Sequence, residues 1–380
     1  MTINLQGYSN TAWARTLNTT LANYLREEEN AIIKNYQMLA LLQAQGRVML
    51  NEGGEGIAWQ VRFDEHQIEG NTGETTRVYN RRNLWQNAAL PYRGYQVTDG
   101  FSNKEMLSNR GTPALVRVLD GFMERLTASL KCGLKTAPYA DGNATGFTEG
   151  WHGLESFCAA TQTVNSSTGA ARTANAADFV GYPNDTYAEL STVLGNYGGD
   201  QESSLAWPFG ICDVAYDFWS PLLINYTCTG FNGTTDTWEA QGDEAIRFGI
   251  VHATRNGMAD DQVTNIWVDR EMHRKLRNKI DSKQQINVNR NEPTGLVAMG
   301  FKNVINFDGV DVSYENAIPA NVGYGINLNT VELRSMWGSL FYPEGPTYDQ
   351  NDQMHKAVVS TLSNLRFKSP RNYFKLLTLA

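Results

Sequence analysis

The stretch 112–137 leaves a folding chain the least freedom. Thr112 is a good helix N-cap, and Pro113 suits the first helical position. Leu115, Val118, Leu119, Phe122, Leu126 and Leu130 then recur at steps of three and four. Arg117, Asp120, Glu124 and Lys131 fall mostly on the other side, and Pro138 ends the run. This pattern predicts a straight amphipathic rod of about 25 residues, or ~37 Å. Such a rod has one apolar stripe to cover, and the flanking sequence decides what covers it.

Neither flank has a core of its own. Upstream, Leu17, Leu21, Leu25, Ile32, Tyr36 and Leu39 predict one long helix over 11–45, interrupted near Gly46 and Gly53–Gly54. A terminal helix with no second helix beside it in sequence must pack on something distant, including another chain. Between the two helices, Ile57–Phe63 alternates as a strand. The polar run Gly70–Thr76 follows, then a return through Arg77, Val78, Tyr79, Arg81 and Arg82, and Leu90–Val97 alternates again. We read 57–109 as an extended two-stranded arm with a tip too polar to form a core. An isolated hairpin is marginal in water, so the arm is expected to be ordered by a neighbouring subunit.

Downstream the pattern is mixed. The stretch 138–246 is loop-rich, and 161–177 is small, polar and suited to a surface insertion. Phe209–Tyr226 is aromatic enough to require a core or an interface. From there we expect a helix through Ile246–Ala253, a strand Thr264–Val268 and a charged helix Arg270–Asp281. Strands Phe301–Phe307 and Val310–Tyr314 should turn at Asp308–Gly309, a favoured hairpin dipeptide. Further strands are expected at Asn321–Leu328, Val331–Leu333 and Val358–Phe367.

Charge separates the classes of function. Residues 1–137 carry 15 Lys+Arg against 13 Asp+Glu, and residues 247–380 carry 16 against 13. Residues 138–246 carry Arg172 alone against 14 acids, so the formal charge of −8 comes from the middle of the chain. A nucleic-acid reader would instead show a basic stripe. With 17 Tyr, 15 Phe and 9 Trp, the chain is too aromatic for intrinsic disorder. No apolar run approaches the ~20 residues of a membrane span, and MTINLQGYSN lacks the pattern of a signal peptide.

The motifs of catalysis and metal binding are missing. There is no GxSxG, HExxH, Walker A, GxGxxG or EF-hand loop. Cys132, Cys158, Cys212 and Cys228 are too far apart for a CxxC site and read as buried thiols. None of the five His residues lies at ligand spacing from another His or a Cys, so neither a metal nor a cofactor is expected. Asp64–Glu65–His66 reads as a solvated strand, because neighbours on a strand point to opposite faces. Asp213 and Asp217, four apart among aromatics, are the one enzyme-like hint, in the manner of paired glycosidase carboxylates. We expect no catalytic residue.

The order and lengths of these elements carry a resemblance. A terminal helical arm (1–56), an extended polar hairpin (57–111), a peripheral segment (112–149) that opens with the long amphipathic helix, a mixed α/β region (150–342) and a closing segment (343–380) succeed one another. This resembles the major capsid proteins of tailed bacteriophages, which have the HK97-like fold. Trp267–Val268–Asp269–Arg270 and Gly309–Val310–Asp311–Val312 stand in matching strand contexts, and Phe367–Lys368–Ser369–Pro370–Arg371 ends the closing segment. The resemblance implies an α+β chain with an N-terminal arm, an extension loop, a peripheral domain built on the spine helix, a mixed α/β axial domain (150–342) and a peripheral return strand (343–380).

The resemblance also implies self-assembly into hexamers and pentamers of an icosahedral shell. That shell would enclose phage double-stranded DNA contacted non-specifically, form in the cytoplasm of a host bacterium and become the virion capsid. Scaffolding, portal and decoration proteins are the implied partners, with no membrane. Glu69, Glu74, Arg77, Arg81 and Arg82 are then expected to meet neighbouring subunits. Leu119, Phe122 and Leu126 are expected to face the core of their own subunit. Two departures matter: the tip 70–78 has no Lys, so the Lys–Asn cross-link of some members is not expected, and no scaffold-like segment precedes the arm, so a separate scaffold is. The alternatives are an encapsulin-like nanocompartment shell and a soluble carbohydrate-active enzyme built on Asp213 and Asp217.

Overall fold

The structure is a computed structural model of the 380-residue chain. The residues it describes are 37–62, 70, 73, 79, 81, 83–102, 104, 126, 129–130, 133–147, 149–158, 160–161, 163–165, 171–173, 180–183, 185–192, 219–231, 237–254, 261–283 and 304–378. The chain divides into two compact units. The first gathers 1–55, 92–153 and 331–366, and the second 56–91, 154–330 and 367–380.

The first unit is held by three discontinuous stretches of sequence. Helix Gln37–Ala44 buries Gln37 through Leu42, the described end of the helix expected over 11–45. It leads into strand Val48–Met49, which runs parallel to Val331–Ser335 in a three-stranded sheet completed by Ser363–Phe367. A second three-stranded antiparallel sheet holds Tyr342–Asp349, Met354–Ser360 and Gln96–Ser102. Of the amphipathic rod, residues 126, 129–130 and 133–136 are described and helical. Leu126, Leu130 and Leu134, each 1% exposed, make one buried stripe at four-residue spacing. The helix passes into a 3₁₀ turn at Ala137–Tyr139, and Ala140 is extended.

Two expectations are corrected in this unit. The alternation over Leu90–Val97 is not one strand: strand Trp85–Pro91 belongs to the arm, whereas Gln96–Ser102 pairs with Met354–Ser360. The break between them is made by tertiary contact. The Thr361 amide donates to the Tyr95 carbonyl (2.8 Å) and the Ser363 amide to that of Arg93 (2.8 Å). Gly94 lies so close between these bonds that a Cβ would overlap the Thr361 carbonyl oxygen. The run Val358–Phe367 divides in the same place, into Met354–Ser360 and Ser363–Phe367.

The second unit is built on an eight-stranded mixed sheet. Its order is Ile305–Phe307, Val310–Tyr314, Asn265–Val268, Gly323–Ile326, Phe374–Leu377, Leu222–Asn225, Val180–Pro183 and Ala160–Thr161. The Asp308–Gly309 turn is present, with positive φ at both residues (49° and 87°), as a primed hairpin turn requires. Helix Trp238–Ala253 packs on Leu222–Asn225 and Phe374–Leu377, with helix Arg270–Lys283 against it. The Trp238 indole donates to the Met272 carbonyl across the helix pair (2.8 Å). Phe157, Tyr187, Phe367 and Tyr373 form a fully buried aromatic cluster, with centroids 5.1–6.1 Å apart among the contacting pairs.

The closing segment 343–380, read as a single peripheral return strand, is a further correction. It contains most of Tyr342–Asp349, then Met354–Ser360, Ser363–Phe367 and Phe374–Leu377, and the last of these lies in the interior of the eight-stranded sheet. All four residues Phe374–Leu377 are buried, so no alternation marks them as a strand. Lys375 is tolerated there because its ammonium meets both carboxylate oxygens of Glu155 (2.7 and 2.8 Å) and the Cys158 carbonyl (3.2 Å).

Candidate assembly surface

The arm is a two-stranded antiparallel hairpin, Gly56–Arg62 against Trp85–Pro91. Its root is anchored. Ile57, Ala88 and Leu90 share one face and are buried, since Ile57 pairs with Leu90 and Trp59 with Ala88. The Ala89 amide donates to the Ala188 carbonyl (3.2 Å) in the turn joining Thr186–Tyr187 to Leu190–Ser191. Ala188 and Glu189 both have positive φ (53° and 65°), a conformation that disfavours any residue with a Cβ. The hairpin root therefore rests on a strained turn.

Away from the root the burial thins, with Leu84 still covered (9% exposed) between exposed neighbours. Trp85, opposite Arg62, is 51% exposed, and Tyr79 is 85% exposed. Arg81 is exposed as well. Arg81, Asn83, Leu84 and Trp85 line an open depression of about 470 Å³. Large apolar side chains left in water beside an arginine are costly in a free subunit, and they suit a surface that another protein covers.

Of the residues expected to meet neighbouring subunits, Arg81 lies on this exposed surface. Glu69, Glu74, Arg77 and Arg82 lie outside the described residues. Leu126 is buried, while Leu119 and Phe122 lie outside. Tyr79 and Trp85 were not singled out from sequence. Their aromatic character was visible, but alternation alone does not tell which face of a hairpin is left uncovered.

Two polar clusters stiffen the first unit. Glu332 accepts from Arg334 (2.8 and 3.0 Å) and pairs with Arg366 (2.7 Å), while Arg334 also donates to Glu52 (2.6 Å). Burial pulls the Glu332 carboxyl upward, but the hydrogen bonds and charges of the two arginines outweigh it and hold it below the usual carboxylate range. The second cluster centres on His152, which is 4% exposed. Its amide donates to Asn364 Oδ1 (2.9 Å) and its Nδ1 faces Asn364 Nδ2 (2.8 Å). Burial, and then the charge of Arg93, lower the imidazole pKa to about 4. Arg93 donates to the Gly142 carbonyl (2.6 Å) beside it.

The described residues offer little else for chemistry. Among them, no group of three or more His, Cys, Asp or Glu is placed to hold a metal ion, and no helix is long and apolar enough to cross a membrane. Cys158 and Cys228 are buried, and burial pushes the Cys158 thiol well up. Cys132, Cys212, His66, Asp213 and Asp217 lie outside the described residues.

No protein-family model and no curated protein sequence matches the chain. Solved structures do match it. The capsid asymmetric unit of cyanophage A-1(L) superimposes with a TM-score of 0.50 at 15% identity, over 90% of this chain and 92% of that one. The capsid of a native GTA particle superimposes with a TM-score of 0.51 at 9% identity, over 89% of this chain and 90% of that one. At such identities the likeness is one of fold, and it extends over almost the full length. The chain has the α+β, HK97-like capsid fold that the order of its elements resembles.

Proposed function

We propose that the chain is the major capsid protein of a tailed bacteriophage, a structural subunit that self-assembles into an icosahedral shell around double-stranded DNA. The observation that carries this reading is the hairpin 56–91, buried at its root and presenting Tyr79, Arg81 and Trp85 to water, on a fold shared with two capsid chains. Tyr, Trp and Arg are the residue types most enriched among interface hot spots. A projecting element that gains its cover only from a neighbour makes assembly and ordering one event. Contacts of unlike surfaces, repeated about an axis, close into rings such as hexamers and pentamers.

In this reading no residue is catalytic and no cofactor is required. Scaffolding, portal and decoration proteins would act with the shell, which assembles in the host cytoplasm and becomes the virion capsid. DNA contact would be non-specific. Segment 112–137 has four Lys+Arg against two acids, and 1–50 has four against three. A lining of that weak charge encloses a polyanion without gripping it, because each phosphate contact adds affinity through counterion release.

Purified protein, concentrated and examined by sedimentation and negative-stain microscopy, tests the reading. Uniform closed shells that hold nucleic acid when recovered from infected cells support it. Shells filled with a cargo enzyme would favour the nanocompartment alternative. A monodisperse subunit with hydrolytic activity abolished by Asp213→Asn or Asp217→Asn would favour the enzyme.

A further inference from the structure

We propose that the depression beside Arg81 takes the Glu189 carboxylate of a second copy of this chain. The proposal rests on the shell reading above and names the group that meets the projecting hairpin. The depression is lined by Arg81, Asn83, Leu84 and Trp85. None of the four is acidic, and three carry side-chain N–H donors: the guanidinium, the Asn83 amide and the Trp85 indole. The Trp85 backbone amide donates to Asn83 Oδ1 (3.4 Å), which leaves Asn83 Nδ2 to donate in turn. Arg81 is exposed and forms no ion pair among the described residues. A cation among further donors suits an anion, and a carboxylate accepts several such bonds at once.

Glu189 supplies that carboxylate. It stands exposed in the two-residue turn between Thr186–Tyr187 and Leu190–Ser191. Both central residues, Ala188 and Glu189, have positive φ, which such a turn ordinarily meets with Asn, Asp or Gly. The turn holds the hairpin root through its backbone, where the Ala188 carbonyl accepts from the Ala89 amide (3.2 Å), and that bond needs no glutamate beside it. The Glu189 side chain meets no cation among the described residues. A charged side chain kept in a strained conformation, with no partner in its own fold, points to a contact outside it.

The two charges belong to opposite ends of one arm. Glu189 adjoins the root next to Ala89, while Arg81 lies eight residues further out, up to ~29 Å away along an extended chain. The outer end of one hairpin set on the root of the next is a contact of unlike surfaces, and repeated about an axis it closes a ring. Tyr79 and Trp85, exposed in the free subunit, would be covered in the same contact and would withdraw the ion pair from water. Glu55, exposed just before the hairpin, is the rival acid, but nothing in its backbone conformation asks for a partner.

Assembly of charge-swapped subunits tests this. Arg81→Glu and Glu189→Arg should each leave the subunit folded by circular dichroism and raise the concentration needed for assembly about tenfold or more. The two together should restore assembly to within about threefold of the unaltered chain. A double variant no better than the worse single one would overturn the contact. Rescue of Arg81→Glu by Glu55→Arg in place of Glu189→Arg would overturn it equally. Glu189→Gly separates assembly from folding: it should melt higher than the unaltered chain and yet assemble less readily, and unchanged assembly would overturn the proposal. Unchanged assembly of Arg81→Glu, with binding of duplex DNA or of a decoration protein lost instead, would give the depression to that partner and overturn the contact. If the unaltered chain forms no shells, the shell reading itself fails. Sedimentation at low salt then decides the contact: self-association lost in Arg81→Glu and regained in the double variant supports it, and none in any of the proteins overturns it.

Discussion

Acidification should weaken the first unit through His152 by an amount its surroundings set. The imidazole is buried, and Asn364 holds it in one orientation: Asn364 Oδ1 already accepts from the amides of His152 and Leu365 (both 2.9 Å), so Nδ2 must face the ring. Burial and the Arg93 charge lower its pKa from 6.5 to about 4. The unfolded chain therefore takes up this proton from about pH 6.5 downward, while the folded chain resists until about pH 4. The stabilising contribution is complete above pH 6.5 and is lost as the pH falls towards 4. A difference of roughly 2.5 units is worth about 3 kcal/mol.

Urea midpoints of the unassembled subunit, compared between about pH 7.5 and pH 4, measure this loss. Other groups titrate over the same interval, so the comparison needs His152→Asn, which offers Asn364 an acceptor and cannot be protonated. The unaltered chain should lose about 3 kcal/mol more than the variant over that interval. Parallel losses in the two proteins, or a His152 resonance titrating near 6.5, would refute the reasoning.

Glu189→Gly should raise stability by about 1 kcal/mol, read as a higher melting temperature, because it relieves a left-handed non-glycine residue on an exposed turn. Leu126→Ala should cost about 2–5 kcal/mol and lower soluble yield before assembly is affected, with Phe122→Ala expected to behave alike; a fully soluble Leu126→Ala protein impaired only in assembly would mean that the stripe serves a neighbour. Arg81→Glu combined with Arg82→Glu should leave a folded subunit, normal by circular dichroism, that fails to form shells in the electron microscope. The unassembled subunit should give no shift of duplex DNA in a gel at physiological salt, and tight or sequence-selective binding there would revive a nucleic-acid role for Arg77, Arg81 and Arg82.

Much of the fold was legible where local signals are complete. Asp308–Gly309 marks its own hairpin, and Arg270–Asp281 shows helical periodicity within two residues of the observed end at Lys283. What was illegible depends on contacts distant in sequence. Strand Phe374–Leu377 is buried on both faces, and its Lys375 looks like a surface residue until Glu155 is placed beside it. The break after Pro91 is fixed by hydrogen bonds from Thr361 and Ser363, distant in sequence, with Gly94 allowing their close approach. The candidate surface divides in the same way. The charge of Arg81 was visible in the sequence, but the exposure of Trp85 follows from where the hairpin root is covered and where that cover stops.

The central claim is that this chain is a shell subunit whose projecting hairpin is completed by its neighbours. Cryo-electron microscopy of the purified, concentrated protein tests it most directly. The account predicts closed icosahedral particles in which Tyr79, Arg81 and Trp85 of each hairpin are covered by an adjacent copy. Particles with those three side chains still bare, or a protein that remains a single subunit under every assembly condition, would contradict it.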